Sequence, residues 1–181
     1  MTDVTIENIV AYAQISDVLD IKQIAEKLPD AKYNPDEFAG LTLKLDTPKT
    51  AVLLMPSGKA ICTGAKKMED AEKSIKKLGN KIKKIGIKIK RKPKIEIQNI
   101  IASTNLKKEL HLSSISKGLL LEKVDYEPKQ FPGLIYRMDD IGATLLLFSS
   151  GKIVCMGTKK IEDVTNAIEI IKEKLSSLGV L

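Results

Sequence analysis

The sequence predicts an α+β fold: ten mostly antiparallel strands in one sheet of pseudo-twofold symmetry, with four helices on one side. Three observations carry this. The stretch "LLMPSGKAICTGAKKMED" (Leu53–Asp70) returns as "LLFSSGKIVCMGTKKIED" (Leu146–Asp163), with eleven of eighteen positions identical. Inside each copy the apolar spacing switches from strand-like to helical. Gly, Pro and Asp clusters punctuate the strand-like runs at short intervals.

Extending the match fixes the organisation. "VTIENIVAYA" (Val4–Ala13) pairs with "IEIQNIIAST" (Ile95–Thr104), and "YNPDEFAGL" (Tyr33–Leu41) with "YEPKQFPGL" (Tyr126–Leu134). The repeats therefore span 1–92 and 93–181, with Pro93 at the junction. Each begins with a β-rich run around an asparagine, Asn8 or Asn99. A short helix over Asp17–Leu28 follows in the first copy, stopped by Pro29-Asp30. The next strands are "GLTLKLD", "TAVLLM" and "KAICTG", separated by "TPK" and "PSG". Met68, Ala71, Ile75, Leu78, Ile82 and Ile85 then alternate spacings of three and four, the pattern of an amphipathic helix. Ile161, Val164, Ile168, Ile171, Leu175 and Leu178 repeat that register. Neither half covers its own sheet edges, so a single continuous sheet is the expectation.

Composition narrows the function. The 181-residue chain is 43% hydrophobic, enough for a core, and carries a formal charge of +7 with only Arg91 and Arg137 as arginines. A basic balance suits an anionic partner. No apolar run approaches a membrane span, and "MTDVTIENIVAY" lacks the basic and apolar regions of a secretory signal, which predicts a soluble, intracellular protein without a membrane partner. Cys62 and Cys155 sit at matching places in apolar runs and read as small buried thiols, with a disulfide joining them as the alternative. His111, the lone histidine, reads as a surface or helix-start residue and cannot complete a four-ligand zinc site with two cysteines. No paired carboxylates, metal cluster or nucleophile–base set recurs between the repeats. We therefore expect no catalytic residues, metal or cofactor. "SGKAICTGAKK" also fails the glycine spacing of a phosphate-binding loop.

The strands hold more apolar residues than one core requires. With Val52, Leu54, Ala60 and Cys62 turned to the helices, Leu53, Met55, Ile61 and Thr63 face away, as do Leu146, Phe148, Val154 and Met156 in the second copy. Lys44, Arg137, Lys59 and Lys152 share that outer face. A second buried layer would trap these cations without evident acidic partners, which is costly. Phe38 and Phe131 occupy equivalent turn entries; the third phenylalanine, Phe148, has Met55 as its counterpart. The result is four apolar wedges, two in each repeat.

At these residues the sequence resembles the TATA-box-binding protein family, in the archaeal form without a long N-terminal extension. The resemblance rests jointly on "ENIVA" and "QNIIA", on "YNPDEF" and "YEPKQFPGLIYRM", and on "SGKAICTGAK" and "SGKIVCMGTK". It implies a saddle: a curved ten-stranded antiparallel sheet binding the DNA minor groove on its concave face, with four helices on the convex face. It also implies a general transcription initiation factor, located with the nucleoid (or in a nucleus), whose partners are double-stranded promoter DNA, transcription factor B and, indirectly, RNA polymerase.

By the same resemblance, Phe38 with Met55 and Phe131 with Phe148 wedge into base steps. Val10, Leu53, Ile61, Ile101, Leu146 and Val154 form an apolar floor, while Asn8, Thr63 and Asn99 hydrogen-bond the central base pairs. Lys44, Ser57, Lys59 and Lys66, with Arg137, Ser150, Lys152 and Lys159, meet phosphates. Glu127 contributes to the transcription factor B contact. The chain departs from the family pattern at Met55, where phenylalanine is usual, and at Met156, where the threonine matching Thr63 is expected. Lys129 and Gln130 replace an acidic and an apolar residue before Phe131. The stretch from Lys66 to Lys94 carries thirteen basic against three acidic residues, a solvated face by default and, in this architecture, a docking surface for an acidic regulator or stray nucleic acid. The competing reading is a symmetric scaffold whose apolar sheet face closes a homodimer, and dimerisation of the DNA-free protein is open at this point.

Overall fold

The computed structural model describes residues 3–119 and 123–181. Its elements are β1 (Thr5–Gln14), α1 (Ile21–Lys27), β2 (Ala31–Tyr33), β3 (Leu41–Asp46), β4 (Lys49–Leu54), β5 (Lys59–Ala65), α2 (Met68–Lys84), β6 (Ile95–Asn105), α3 (Leu112–Gly118), β7 (Val124–Asp125), β8 (Leu134–Met138), β9 (Ala143–Leu147), β10 (Lys152–Met156) and α4 (Ile161–Ser177). The α+β class, the ten sheet strands and the four α-helices expected from the sequence are thus present among the described residues.

The chain forms two compact units, one of Asn8–Gln98 and one of Asn99–Leu181 with the N-terminal residues through Glu7. In the first, hydrogen-bonded strands run β2-β3-β4-β5-β1; in the second, β6-β10-β9-β8-β7. The registers repeat: Leu53 lies opposite Ile61, and Leu146 opposite Val154.

Alternation decides what each unit buries, because successive side chains point to opposite faces of a sheet. On the inner face of the first unit, Leu41 and Leu43 of β3 are buried, and Val52, Leu54, Ala60 and Cys62 of β4 and β5 are buried beneath α2, which turns Ala71, Ile75, Leu78 and Ile82 inward. On that of the second, Leu134 of β8 is buried, and Leu145, Leu147, Ile153 and Cys155 of β9 and β10 lie beneath α4, which turns Val164, Ala167, Ile168, Ile171 and Leu175 inward. Each long helix presents one apolar stripe, as its three–four spacing requires. Glu69 and Asp70 in the first turn of α2, and Lys81, Lys83 and Lys84 in its last, complement the helix dipole.

The structure corrects two details of the sequence reading. The first short helix begins at Ile21, not Asp17. Asp20 caps it by accepting a bond from the Gln23 N–H (3.0 Å). The residues before it are held by the β4–β5 hairpin, where the Leu19 N–H donates to the Pro56 carbonyl (2.9 Å) and buries Leu19. The strands β2 and β7, three and two residues long, went unassigned because so short a run has no period of its own. His111 stands at the N-cap of α3, exposed and without a side-chain capping bond.

Cys62 and Cys155 are buried free thiols in separate units. Burial raises both pKa values, that of Cys155 to about 11, with only Ser74 and Thr50 hydroxyls opposing the rise at Cys62. Since the folded thiol holds its proton to higher pH than the unfolded one, its contribution to stability is complete below about pH 9 and is lost as pH rises toward 11. Urea midpoints should therefore fall across that window, and the Cys155→Ala variant should show a shallower fall. Burial also ranks substitutions: Leu78→Ala should cost about 2–5 kcal/mol by urea denaturation, whereas Leu53→Ala, on the other face of the same sheet, should cost less than about 1 kcal/mol.

Candidate nucleic-acid interface

The outer faces are apolar but uncovered. In the first unit, cross-strand neighbours form the row Thr42–Leu53–Ile61–Tyr12 and, beside it, Lys44–Ala51–Thr63. In the second, the rows are Ile135–Leu146–Val154–Ser103 and Arg137–Thr144–Met156. Val10, Leu53 and Ile61, like Ile101, Leu146 and Val154, are half-exposed, while their inward neighbours are sealed. Among the described residues these side chains stay half-exposed, whereas α2 and α4 seal the inner faces.

A β-bulge sets the polar centre of each face. The β1–β5 register slips between Ile9–Ala65 and Ala11–Cys62. Gly64, at φ +90°, takes up the extra residue in a left-handed conformation that glycine adopts without a Cβ penalty. Its N–H donates to Asn8 Oδ1 at 2.7 Å. That bond fixes the amide, so Nδ2 is the outward-facing donor, and it bonds Thr63 Oγ1 at 3.1 Å. Gly157 (φ +97°) repeats the device, donating to Asn99 Oδ1 at 2.8 Å. Met156 stands where Thr63 stands in the first unit, and Asn99 Nδ2 has no protein partner among the described residues. The three candidate base-reading residues thus fall into an Asn8–Thr63 pair and a single Asn99.

The wedge candidates lie at chain reversals. Met55 and Phe148 close the β4–β5 and β9–β10 hairpins through N–H bonds to the Lys59 and Lys152 carbonyls, each 2.9 Å. Phe38 and Phe131 end turns in which their N–H groups bond the Asn34 and Glu127 carbonyls, at 2.9 and 3.0 Å. Phe131 and Phe148 meet edge to face, with centroids 5.9 Å apart. Glycine at 133 permits this approach, since a Cβ there would stand 2.7 Å from the Phe131 ring and 3.1 Å from that of Phe148. Gly40 does the same for Phe38, at 2.6 Å. All four wedge residues are half-exposed.

Cations border the faces. Lys44 and Lys66 in the first unit, and Arg137, Lys152 and Lys159 in the second, are exposed and form no ion pair among the described residues. Ser57 and Ser150 are exposed in the hairpin turns. Lys59 differs: it is half-buried, with its Nζ 4.2 Å from the centre of the Tyr12 ring. Glu127 is exposed, as are Lys129 and Gln130 beside it.

The sequence reading missed Tyr12. It follows Asn8 and Val10 at a spacing of two, so period alone places it on the same face, but no matching aromatic in the second repeat marks it, since Ser103 stands there. Its hydroxyl donates to Glu96 Oε2 at 2.7 Å, and Glu96 Oε1 pairs with Lys94 at 2.7 Å. The Glu96 carboxylate, which accepts the phenol proton, holds the Tyr12 pKa above its ordinary value. In the second unit the corresponding Ser103 donates to Glu7 Oε1 at 2.6 Å.

Comparison with known proteins finds relatives along nearly the whole chain. The family model described as "Transcription factor TFIID (or TATA-binding protein, TBP)" matches residues 3–85 and 94–178. The chain is 45% identical to the TATA-box-binding protein of Methanothermobacter thermautotrophicus over 179 residues, covering 99% of this chain and 98% of that protein. It is 43% identical to that of Archaeoglobus fulgidus, with 98% and 97% covered. The solved structure of Methanococcus jannaschii TBP superposes with a TM-score of 0.87 at 41% identity, covering 97% of this chain and 99% of that one.

Proposed function

Because the chain belongs to the TATA-box-binding protein family, we propose that it is a transcription initiation factor that binds and bends promoter TATA elements through the minor groove. The observation that carries this is the apolar outer sheet face, half-exposed in both units and bordered by unpaired cations. The repeats 1–92 and 93–181 are its duplicated halves, and the function is recognition without a catalytic step.

Each group has a part that chemistry assigns. The minor groove of A·T pairs displays only acceptors, whereas G·C adds an amine donor. A floor of Val10, Leu53, Ile61, Ile101, Leu146 and Val154 fits the first and leaves that amine unsatisfied. Asn8 and Asn99 turn amide donors toward the acceptors, with Thr63 beside Asn8. Phe131 with Phe148, and Phe38 with Met55, enter base steps. Bending of this kind belongs to the family as a whole and comes to this chain by membership; unstacking costs about a few kcal/mol per step, offset by the surface that bent DNA brings into contact. Flexible TA steps lower that cost. Met55, unbranched and adaptable, makes the softer wedge. Lys44, Lys59, Lys66, Arg137, Lys152 and Lys159, with Ser57 and Ser150, take phosphates, which fix register and carry the salt dependence.

Bound at a promoter near the nucleoid, the protein recruits transcription factor B through the loop holding Glu127, and RNA polymerase follows indirectly. Lys129 and Gln130 give that loop a less acidic character than the family pattern, leaving Glu127 as its main acidic contact.

Fluorescence anisotropy with a labelled TATA duplex tests the DNA reading. Replacing both Phe131 and Phe148 by alanine should weaken binding by at least about tenfold and reduce the bend read by end-to-end energy transfer. Unchanged DNA affinity with loss of self-association would instead favour the homodimer scaffold. For the partner, Glu127→Lys should lower transcription factor B recruitment in a gel shift by about three- to tenfold at unchanged DNA affinity.

A further inference from the structure

Resting on the DNA-binding reading above, we propose that Tyr12 is a positioning residue for the DNA backbone: its ring holds the Lys59 ammonium in place, making the Asn8–Gln98 unit the firmer of two phosphate grips. Tyr12 pairs with Ile61 across β1 and β5, and Gln14 with Lys59, so the ring and the lysine are diagonal neighbours on the outer face. The ammonium lies 4.2 Å from the ring centroid, inside the range of about 6 Å over which an aromatic quadrupole attracts a cation.

The ring itself is anchored. Its hydroxyl is bonded to Glu96 (2.7 Å), which in turn pairs with Lys94 (2.7 Å), so Lys94, Glu96, Tyr12 and Lys59 form one connected set within the unit. A lysine on an unrestrained stem loses rotamer freedom when it meets a phosphate. Lys59 has given up part of that freedom beforehand, and the ring occupies one side of the ammonium while leaving its other N–H donors for phosphate oxygens. The ring also lowers the water exposure of the Lys59 stem, which is half-buried where its counterpart Lys152 is exposed.

The second repeat supplies the control. Lys152 occupies the matching position, but its neighbour on the adjacent strand face is Ser103, whose hydroxyl is turned to Glu7 at 2.6 Å. Both lysines follow the same Ser-Gly turn. What differs is the aromatic ring beside one of them. The two grips should therefore contribute unequally to binding although the repeat gives them the same cation.

The test is anisotropy with a labelled TATA duplex at several KCl concentrations, using the full chain. Lys59→Ala should weaken binding more than Lys152→Ala. Tyr12→Ser should weaken it by about two- to fivefold and flatten the dependence of log Kd on log salt by up to about one phosphate's share. Tyr12→Phe, which keeps the ring, should retain at least about half of the wild-type affinity. In the double-mutant cycle, Tyr12→Ser should cost little once Lys59 is alanine. Additive Tyr12 and Lys59 effects, equal losses for the two lysine variants, or a phenylalanine variant as weak as the serine one would each overturn the proposal. The lysine comparison uses surface residues and stands even if Tyr12→Ser unfolds. Absence of wild-type binding to the duplex would instead refute the DNA-binding reading itself.

Discussion

A sheet has two faces, and each unit of this protein has one helical layer to cover them. That mismatch governs the molecule. Alternation sends Val52, Leu54, Ala60 and Cys62 under α2, where they are sealed, and sends Leu53, Met55 and Ile61 the other way, where they stay half-exposed. Burying a large aliphatic side chain in full is worth about 1.5–3 kcal/mol, so every half-exposed residue forfeits part of that sum in the isolated chain. A partner able to cover the face recovers it. On the proposed DNA reading a rigid duplex cannot do so without deformation, which links the wedge candidates at the chain reversals to the apolar floor of each unit. The cations at the margins set the sign of what may approach.

Much of this was legible because the chain repeats itself. Duplication doubled the weight of each pattern: the long helices, the central strands and the identity of the outer-face residues all follow from periods of two and of three to four, read twice. The unread parts have physical causes. Asp17–Asp20 looked helical from its neighbours, but Leu19 is held by the hairpin at Pro56 and Asp20 serves as the cap. The edge strands β2 and β7 are too short to show a period. Tyr12 was visible in principle, being two residues beyond Val10; only the partners that define its chemistry, Lys59 and Glu96, come from distant positions that sequence spacing does not connect.

The two copies keep one backbone plan and diverge in side chains. Thr63 gives way to Met156, Met55 to Phe148 and Tyr12 to Ser103, all on outer faces, whereas the inner-face cysteines are identical. Charge diverges as well: α2 holds six lysines against three acidic residues, and α4 holds two lysines against four acidic ones. The inner faces diverge too, with Ile153 at the place of Ala60 and Tyr136 at that of Leu43, all buried; a close-packed core must repack around such changes, whereas an uncovered face can change without loss of the fold.

The bulge glycines tie the backbone to that recognition. An asparagine amide presents either a donor or an acceptor, and nothing in the residue itself decides which. Here the Gly64 and Gly157 N–H groups claim the oxygens of Asn8 and Asn99, leaving the NH₂ groups outward. The geometry requires a left-handed residue at each bulge, and at Gly157 an added Cβ would also stand 2.7 Å from the Gly142 carbonyl. A substitution there would strain the turn and release the amide to rotate. On the proposed reading, in which these amides face a groove where A·T pairs offer only acceptors, an amide turned oxygen-outward would oppose binding. The donor character of the outer faces is thus set by two glycines, and the asparagines carry it to the surface.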